Sequence, residues 1–286
     1  LQVRDSRAIV ALGMHRSGTS AVARGLQALG VNLGNDFLDA QPENPTGYWE
    51  DRGIVELNER VLKALHLTWD SVAPIERRRF GGWRMWQLRR EARRYLSRHF
   101  TPAALWGFKD PRTIRLLPFW LAVLSECGVD DAYLLAIRNP SSVAASLHAR
   151  QGTDVETAQR LWLVNVVPFL DEIAGKPFVV VDYDCLMLDP RGQLERIAQR
   201  LGLARQNPSD VDRFSSDFLD AKLRHTVFSV ADIDTSTEAG CLTRDAYGLL
   251  HEVAVDERAV DSTFWAAWSI VKSSFDYGAG TQPPTA

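Results

Sequence analysis

Residues 13–20 read GMHRSGTS, a stretch built to hold an anion. Gly13 and Gly18 have the spacing of a phosphate-binding loop, G-x-x-x-x-G-K-[ST], and Ser20 takes its last position. Where such a loop has its lysine, this chain has Thr19. Glycine at both ends permits positive φ and close approach, so several backbone N–H groups can face one anion. Thr19 and Ser20 add hydroxyl donors. His15 and Ser17 complete the loop, where the backbone of His15 is expected to matter more than its ring. Arg16 supplies a cation three residues ahead of the usual lysine, and its planar fork suits two oxygens. The plainer alternative is a strand, a glycine turn and a capped helix start.

A second constellation is IRNPSSVAASL, residues 137–147. Arg138 ends an apolar run, Pro140 suits the first turn of a helix, and Ser146 lies eight residues after Arg138. Arginine and a hydroxyl beyond the carboxyl end of a strand suit a phosphate monoester. Otherwise they are a strand cap and an ordinary helical serine. Proton transfer needs a base, and two stretches offer one. NPTGYWED, residues 44–51, carries Glu50 and Asp51; GFKDPRT, residues 107–113, carries Lys109 and Asp110 at the end of an apolar run. Glu50 and Asp51 also read as favourable acids at a helix N-terminus. Arg112 and LRHT, residues 223–226, add cations with a solvated or salt-bridged role. Tyr183, in VVVDYDCLMLDP at 179–190, follows another apolar run and by itself reads as core. The six histidines show no metal-ligand spacing.

These residues need a scaffold. Strands are predicted at 7–13, 105–108, 132–137 and 178–181. Helices are predicted at 19–29, 54–64, 85–98, 112–127, 140–151 and 155–174. Strands alternating with helices argue for an α/β fold with a parallel, doubly wound sheet. One domain is expected over residues 3–277, with a disordered tail at 278–286. The net charge of −3 points to no nucleic-acid partner. Three cysteines, an odd number, read as small buried residues in a reducing, cytoplasmic setting. No apolar run approaches the roughly 18–20 residues of a membrane span, and no signal peptide opens the chain. The first residue is Leu1, which leaves room for an upstream anchor or domain. Residues 76–98 hold nine arginines and two glutamates, with Trp83 and Trp86 among them. This is either a surface for an anionic acceptor or membrane lipid, or a solvated helix face with arginine stems over apolar surface.

The motifs together resemble those of the sulfotransferases that use 3′-phosphoadenosine-5′-phosphosulfate (PAPS), in particular bacterial members with carbohydrate-type acceptors. The resemblance spans most of the chain. It implies a three-layer, P-loop-like fold and transfer of a sulfuryl group to a hydroxyl, without metal, leaving adenosine 3′,5′-bisphosphate (PAP). The loop with Arg16 then matches the 5′-phosphosulfate loop, and Arg138 with Ser146 matches the 3′-phosphate motif R-[ND]-P-x-x-V-x-x-S. Tyr183 becomes a candidate for the adenine pocket. Many relatives have a histidine in the segment that here reads KDP. Its absence turns attention to Glu50 as the base, as in glycan and tyrosyl sulfotransferases, with Asp110 second and Lys109 stabilising charge. The acceptor implied is a small molecule or glycan, and oligomeric state stays open. Two rivals remain: a magnesium- and ATP-dependent kinase on the same scaffold, against which Thr19 argues, and a nucleotide-binding module without turnover.

Overall fold

The computed structural model describes residues 6–39, 47–204, 208–218 and 228–280. Residues 44–46 of the NPTGYWED stretch, and LRHT at 223–226, lie outside them. Four strands form one parallel sheet in the order β2-β1-β3-β4: β1 (Arg7–Leu12), β2 (Leu105–Lys109), β3 (Asp130–Ile137) and β4 (Phe178–Asp182). Each strand reads as a nearly unbroken apolar run because both of its faces are covered. The alternation reappears in the packing. Ala8, Val10, Leu12, Tyr133, Leu135, Ile137 and Val180 enter one core. Ile9, Ala11, Leu134, Ala136, Val179 and Val181 enter the other.

Helices occupy both faces, giving three layers. In chain order they are α1 (Thr19–Ala28), α2 (Arg52–Ala64), α3 (Gly82–His99), α4 (Leu117–Cys127), α5 (Pro140–Gln151), α6 (Val155–Val166), α7 (Tyr183–Leu188), α8 (Pro190–Arg200), α9 (Pro208–Arg213), α10 (Glu238–Ala254) and α11 (Ser262–Gly280). Val22 and Leu26 of α1 share the second core with Leu186 of α7 and Leu194 and Ile197 of α8. The first core gathers apolar side chains from α2 to α6, α10 and α11.

The structure departs from the sequence reading at several places. The helix predicted over 112–127 begins only at Leu117. Before it the chain turns tightly, with Thr113 N–H donating to Asp110 O at 2.9 Å and Leu116 N–H to Thr113 O at 3.0 Å. Pro118 has no N–H to give, which suits the first helical turn and nothing deeper. The helix predicted over 155–174 stops at Val166, because Pro168 breaks the ladder there; a 3₁₀ turn, Leu170–Ile173, follows. Helix α11 runs to Gly280, past the expected start of the tail. The three cysteines form no disulfide, but each is half-buried rather than buried. The sequence reading has no counterpart of α7 to α11, although Ala246, Leu250 and Val253 of α10 have the spacing of a buried helical face. Among the described residues no helix is long and apolar enough to cross a membrane.

Candidate active site

Strands β1 and β3 are neighbours, with Leu12 opposite Leu135, so the loops that follow them open side by side. In an open parallel sheet this carboxyl edge is where ligands bind. The chain leaves β1 through Gly13 at φ 140°, where an added Cβ would stand 2.6 Å from the Ala136 carbonyl oxygen. Gly18 closes the loop at φ 77°, and a Cβ there would strike the Tyr183 ring at 2.2 Å. Both glycines are therefore required by close approach as well as by φ. Helix α1 starts at once, with no side chain capping its N-terminus. Its first N–H groups lack intrahelical partners, which leaves donors free for an anion held by the loop.

Arg16 is the exception in this loop, a non-glycine residue at φ 70°. Such a backbone is sparsely populated and costs roughly 1–2 kcal/mol. Its Nε donates to Ser146 Oγ at 2.8 Å. The sequence reading assigned Arg16 and Ser146 to two different phosphates; the fold joins them across α5. The side chain thereby reaches α5, the helix that follows β3.

The charge missing at Thr19 arrives from another strand. Lys109, paired with Ala11 at the end of β2, is almost wholly buried. Its Nζ donates to Ser20 Oγ at 3.3 Å, Tyr48 O at 2.8 Å and Glu50 Oε1 at 2.7 Å. Glu50 is buried beside it, with Arg112 Nη1 3.7 Å from Oε2. Burial pushes the Glu50 carboxyl above its ordinary value, against the pull of Lys109 and with help from Asp110.

The two neighbouring acids divide their work. Asp51 caps α2, accepting Ile54 N–H at 3.1 Å and the Tyr95 hydroxyl at 2.6 Å. Glu50 faces Lys109. Asp110, the second candidate base, is taken up inside the protein. Its Oδ2 accepts from Asn58 Nδ2 at 3.0 Å, and its Oδ1 from the Arg112 N–H and Nη1, both at 2.9 Å. Asn58 Oδ1 in turn accepts from Trp120 Nε1 at 2.8 Å. With donors on both oxygens, Asp110 shapes the loop after β2.

On the β3 side Arg138 is buried, its guanidinium 4.9 Å from the centre of the Tyr183 ring. Its Nε is buried with no hydrogen-bond partner among the described residues. An orphaned, buried, charged donor is costly and calls for an anion. Tyr183 opens α7, whose N-cap Asp182 accepts Asp184 N–H at 2.8 Å and the Tyr247 hydroxyl at 2.9 Å. Burial raises Asp182, but the His251 imidazole 3.7 Å away and hydrogen bonds from the Tyr247 hydroxyl and the Cys185 N–H prevail and hold it below the usual carboxylate range. Helix α10 thus fixes the ring that rests on Gly18 and Arg138.

The His15 ring is more than a bystander to its backbone. It lies 4.6 Å from the Trp69 ring. Burial, then the charges of Arg112, Lys109, Arg150 and Arg16, hold its imidazole well below its ordinary value. Trp69, Arg150 and Asn58 were not singled out from the sequence, and no local pattern marks them.

The profile of the sulfotransferase family matches residues 8–207. No curated protein matches the chain. Among solved structures, the chain is similar to the sulfotransferase domain of the olefin synthase from Synechococcus PCC 7002. Identity there is 15%, coverage is 86% of this chain and 96% of that one, and the TM-score is 0.48. It is also similar to the sulfotransferase STF1 from Mycobacterium tuberculosis H37Rv. Identity there is 17%, coverage is 85% and 78%, and the TM-score is 0.44.

Two outcomes are expected from the loop. Arg16→Gly and Arg16→Ala both lose the bond to Ser146, but only glycine relieves the left-handed strain. The glycine variant should be more stable in urea unfolding by about 1 kcal/mol; equal stabilities would show that the strain is absent. The His15 imidazole should titrate well below an ordinary histidine, because burial and the surrounding cations depress it. A bound anion offsets the surrounding cations and favours the imidazolium. Adding pyrophosphate should therefore raise the His15 titration midpoint in an NMR pH series, and a fixed midpoint would separate the ring from the anion site.

Proposed function

The chain belongs to the sulfotransferase family, and we propose that it moves a sulfuryl group from PAPS to the hydroxyl of a saccharide or glycosylated small molecule. The observation that carries this reading is the second anion corner beside the loop: Arg138 with its orphaned Nε, and Ser146 tied to Arg16. A donor with phosphates at both 5′ and 3′ positions needs two such corners, whereas ATP needs one. Gly18, whose added Cβ would collide with Tyr183, keeps the loop narrow between them.

In this reading the loop N–H groups and Ser20 hold the phosphosulfate, while Arg138 and Ser146 hold the 3′-phosphate. Tyr183 stands at the nucleotide side, between loop and arginine. Arg16 bridges the two corners. Lys109, in contact with Ser20, meets the charge that grows on the bridging oxygen as its bond to sulfur breaks. The acceptor oxygen forms its bond to sulfur in line with that break, and Glu50 takes the hydroxyl proton. Burial of Glu50 favours this role because it raises the proton affinity of the carboxylate. The transferred group has less charge than a phosphoryl group, so one lysine and a row of N–H groups suffice at the loop.

Calorimetric titration with PAP and with ATP plus magnesium tests the donor. PAP should bind at least tenfold more tightly, and Arg138→Ala should erase most of that preference, as loss of a charge-assisted bond implies. Tighter binding of ATP plus magnesium would move the chain to phosphoryl transfer. Glu50→Gln should bind PAP normally and lose roughly 10²–10⁴-fold in kcat, the usual worth of a positioned base. An unchanged kcat would remove Glu50 from proton transfer.

A further inference from the structure

Helix α3 carries a surface outside the site described above. Its inner face, Met85, Leu88, Ala92 and Leu96, packs into the first core. Its outer face begins with Trp83, 67% exposed, and Trp86. Arg90, Arg94 and Arg98 then follow Trp86 at four-residue intervals, one above the other on a single stripe. Among the described residues Arg90, Arg94 and Arg98 have no ion-pair partner. The nearby acids are engaged elsewhere: Glu91 with Arg60, and Glu126 with Arg89 and Arg93. Arg90, Arg93, Arg94, Ser97 and Arg98 line a shallow cavity of about 360 Å³. Arg90, Arg94 and Arg98, without ion-pair partners among the described residues, stand around a hollow with Arg93 and a serine hydroxyl at its wall, which suits a phosphate-bearing headgroup.

We propose that the outer face of α3 docks the protein on an anionic lipid bilayer. A polyanionic chain is the other occupant with matching charge, and the tryptophans decide between them. Trp83 and Trp86 stack on each other, centroids 4.9 Å apart and planes at 22°. Arg90 stands 4.8 Å from the Trp86 ring centre. The pair leaves no slot between its rings for a base or sugar, and it sits at one end of the basic stripe rather than interleaved with it. An exposed aromatic wedge next to a row of arginines instead matches the headgroup level of a membrane, where an amphipathic ring gains on one side and stays wet on the other. Trp83, Trp86, Arg90, Arg94 and Arg98 fall within about 120° of arc on the side of the helix opposite the core, so one flat surface can face all of them. The net charge of −3 opposes approach in any other orientation.

The test is cosedimentation of the full chain with vesicles of phosphatidylcholine alone and of an equimolar mixture with phosphatidylglycerol. Binding is expected to the mixture only, and to weaken steeply with salt. The variant Arg90→Glu/Arg94→Glu/Arg98→Glu should bind at least tenfold more weakly, and Trp83→Ala should also bind more weakly, each with an unchanged unfolding midpoint. Lack of binding to the mixture would overturn the proposal. So would equal binding to both vesicle types, or wild-type binding by the triple variant. Retention on heparin without vesicle binding would overturn it in favour of a soluble polyanion.

Discussion

The Ala136 carbonyl oxygen leaves no room for a side chain at Gly13, and the arrangement of the site follows from that contact. It exists because β1 and β3 pair in parallel, in a register that sets Leu12 against Leu135. A shift by one residue would turn Leu12 from one core to the other and misfit the side chains packed against both faces. The burial of both sheet faces thus locks the register, and the register brings the glycine loop and Arg138 to one edge. Hydrogen bonds at the site refine a placement that packing has already made.

Within that edge the protein keeps several charges out of water. Lys109, Glu50, Asp110 and Arg138 are all buried. Removing ions from water costs several kcal/mol each, and pairing rarely repays it in full. Asp110 is repaid by Asn58 and Arg112, and Lys109 by Glu50 and the Tyr48 carbonyl. Arg138 Nε is not repaid by any described residue. The left-handed backbone of Arg16 adds strain at the same place. Local costs gathered at one edge of an otherwise well-packed sheet are characteristic of sites shaped for binding rather than for stability.

Much of this was legible before folding. The strand, loop and helix around residues 13–20, the four strands, and the start of α5 at Pro140 all follow from apolar runs, glycines and proline placed at the right offsets. Other elements were misread for reasons equally local. Pro168 already forbade a helix to 174, and the turns at 112–116 depend on the Asp110 carboxylate. The division between Glu50 and Asp51 was not legible, since two adjacent acids before a helix look alike in sequence. Only the approach of Tyr95, admitted by Gly53, and of Lys109 distinguishes them.

The sequence by itself determined the α/β class, the glycine loop between β1 and α1 and the candidate residues Arg16, Glu50, Lys109, Arg138 and Ser146, because backbone conformation and burial period depend on neighbours along the chain. The tertiary structure alone decided which of these residues meet. Lys109 reaches Ser20, and Arg16 reaches Ser146, across 89 and 130 residues of chain. His15 meets Trp69 and feels the charges of Lys109, Arg112 and Arg150, which come from a strand, the turn after it and a helix. Contacts at such separations are set by strand order and by the packing of helices on both faces of the sheet. No spacing along the chain encodes them.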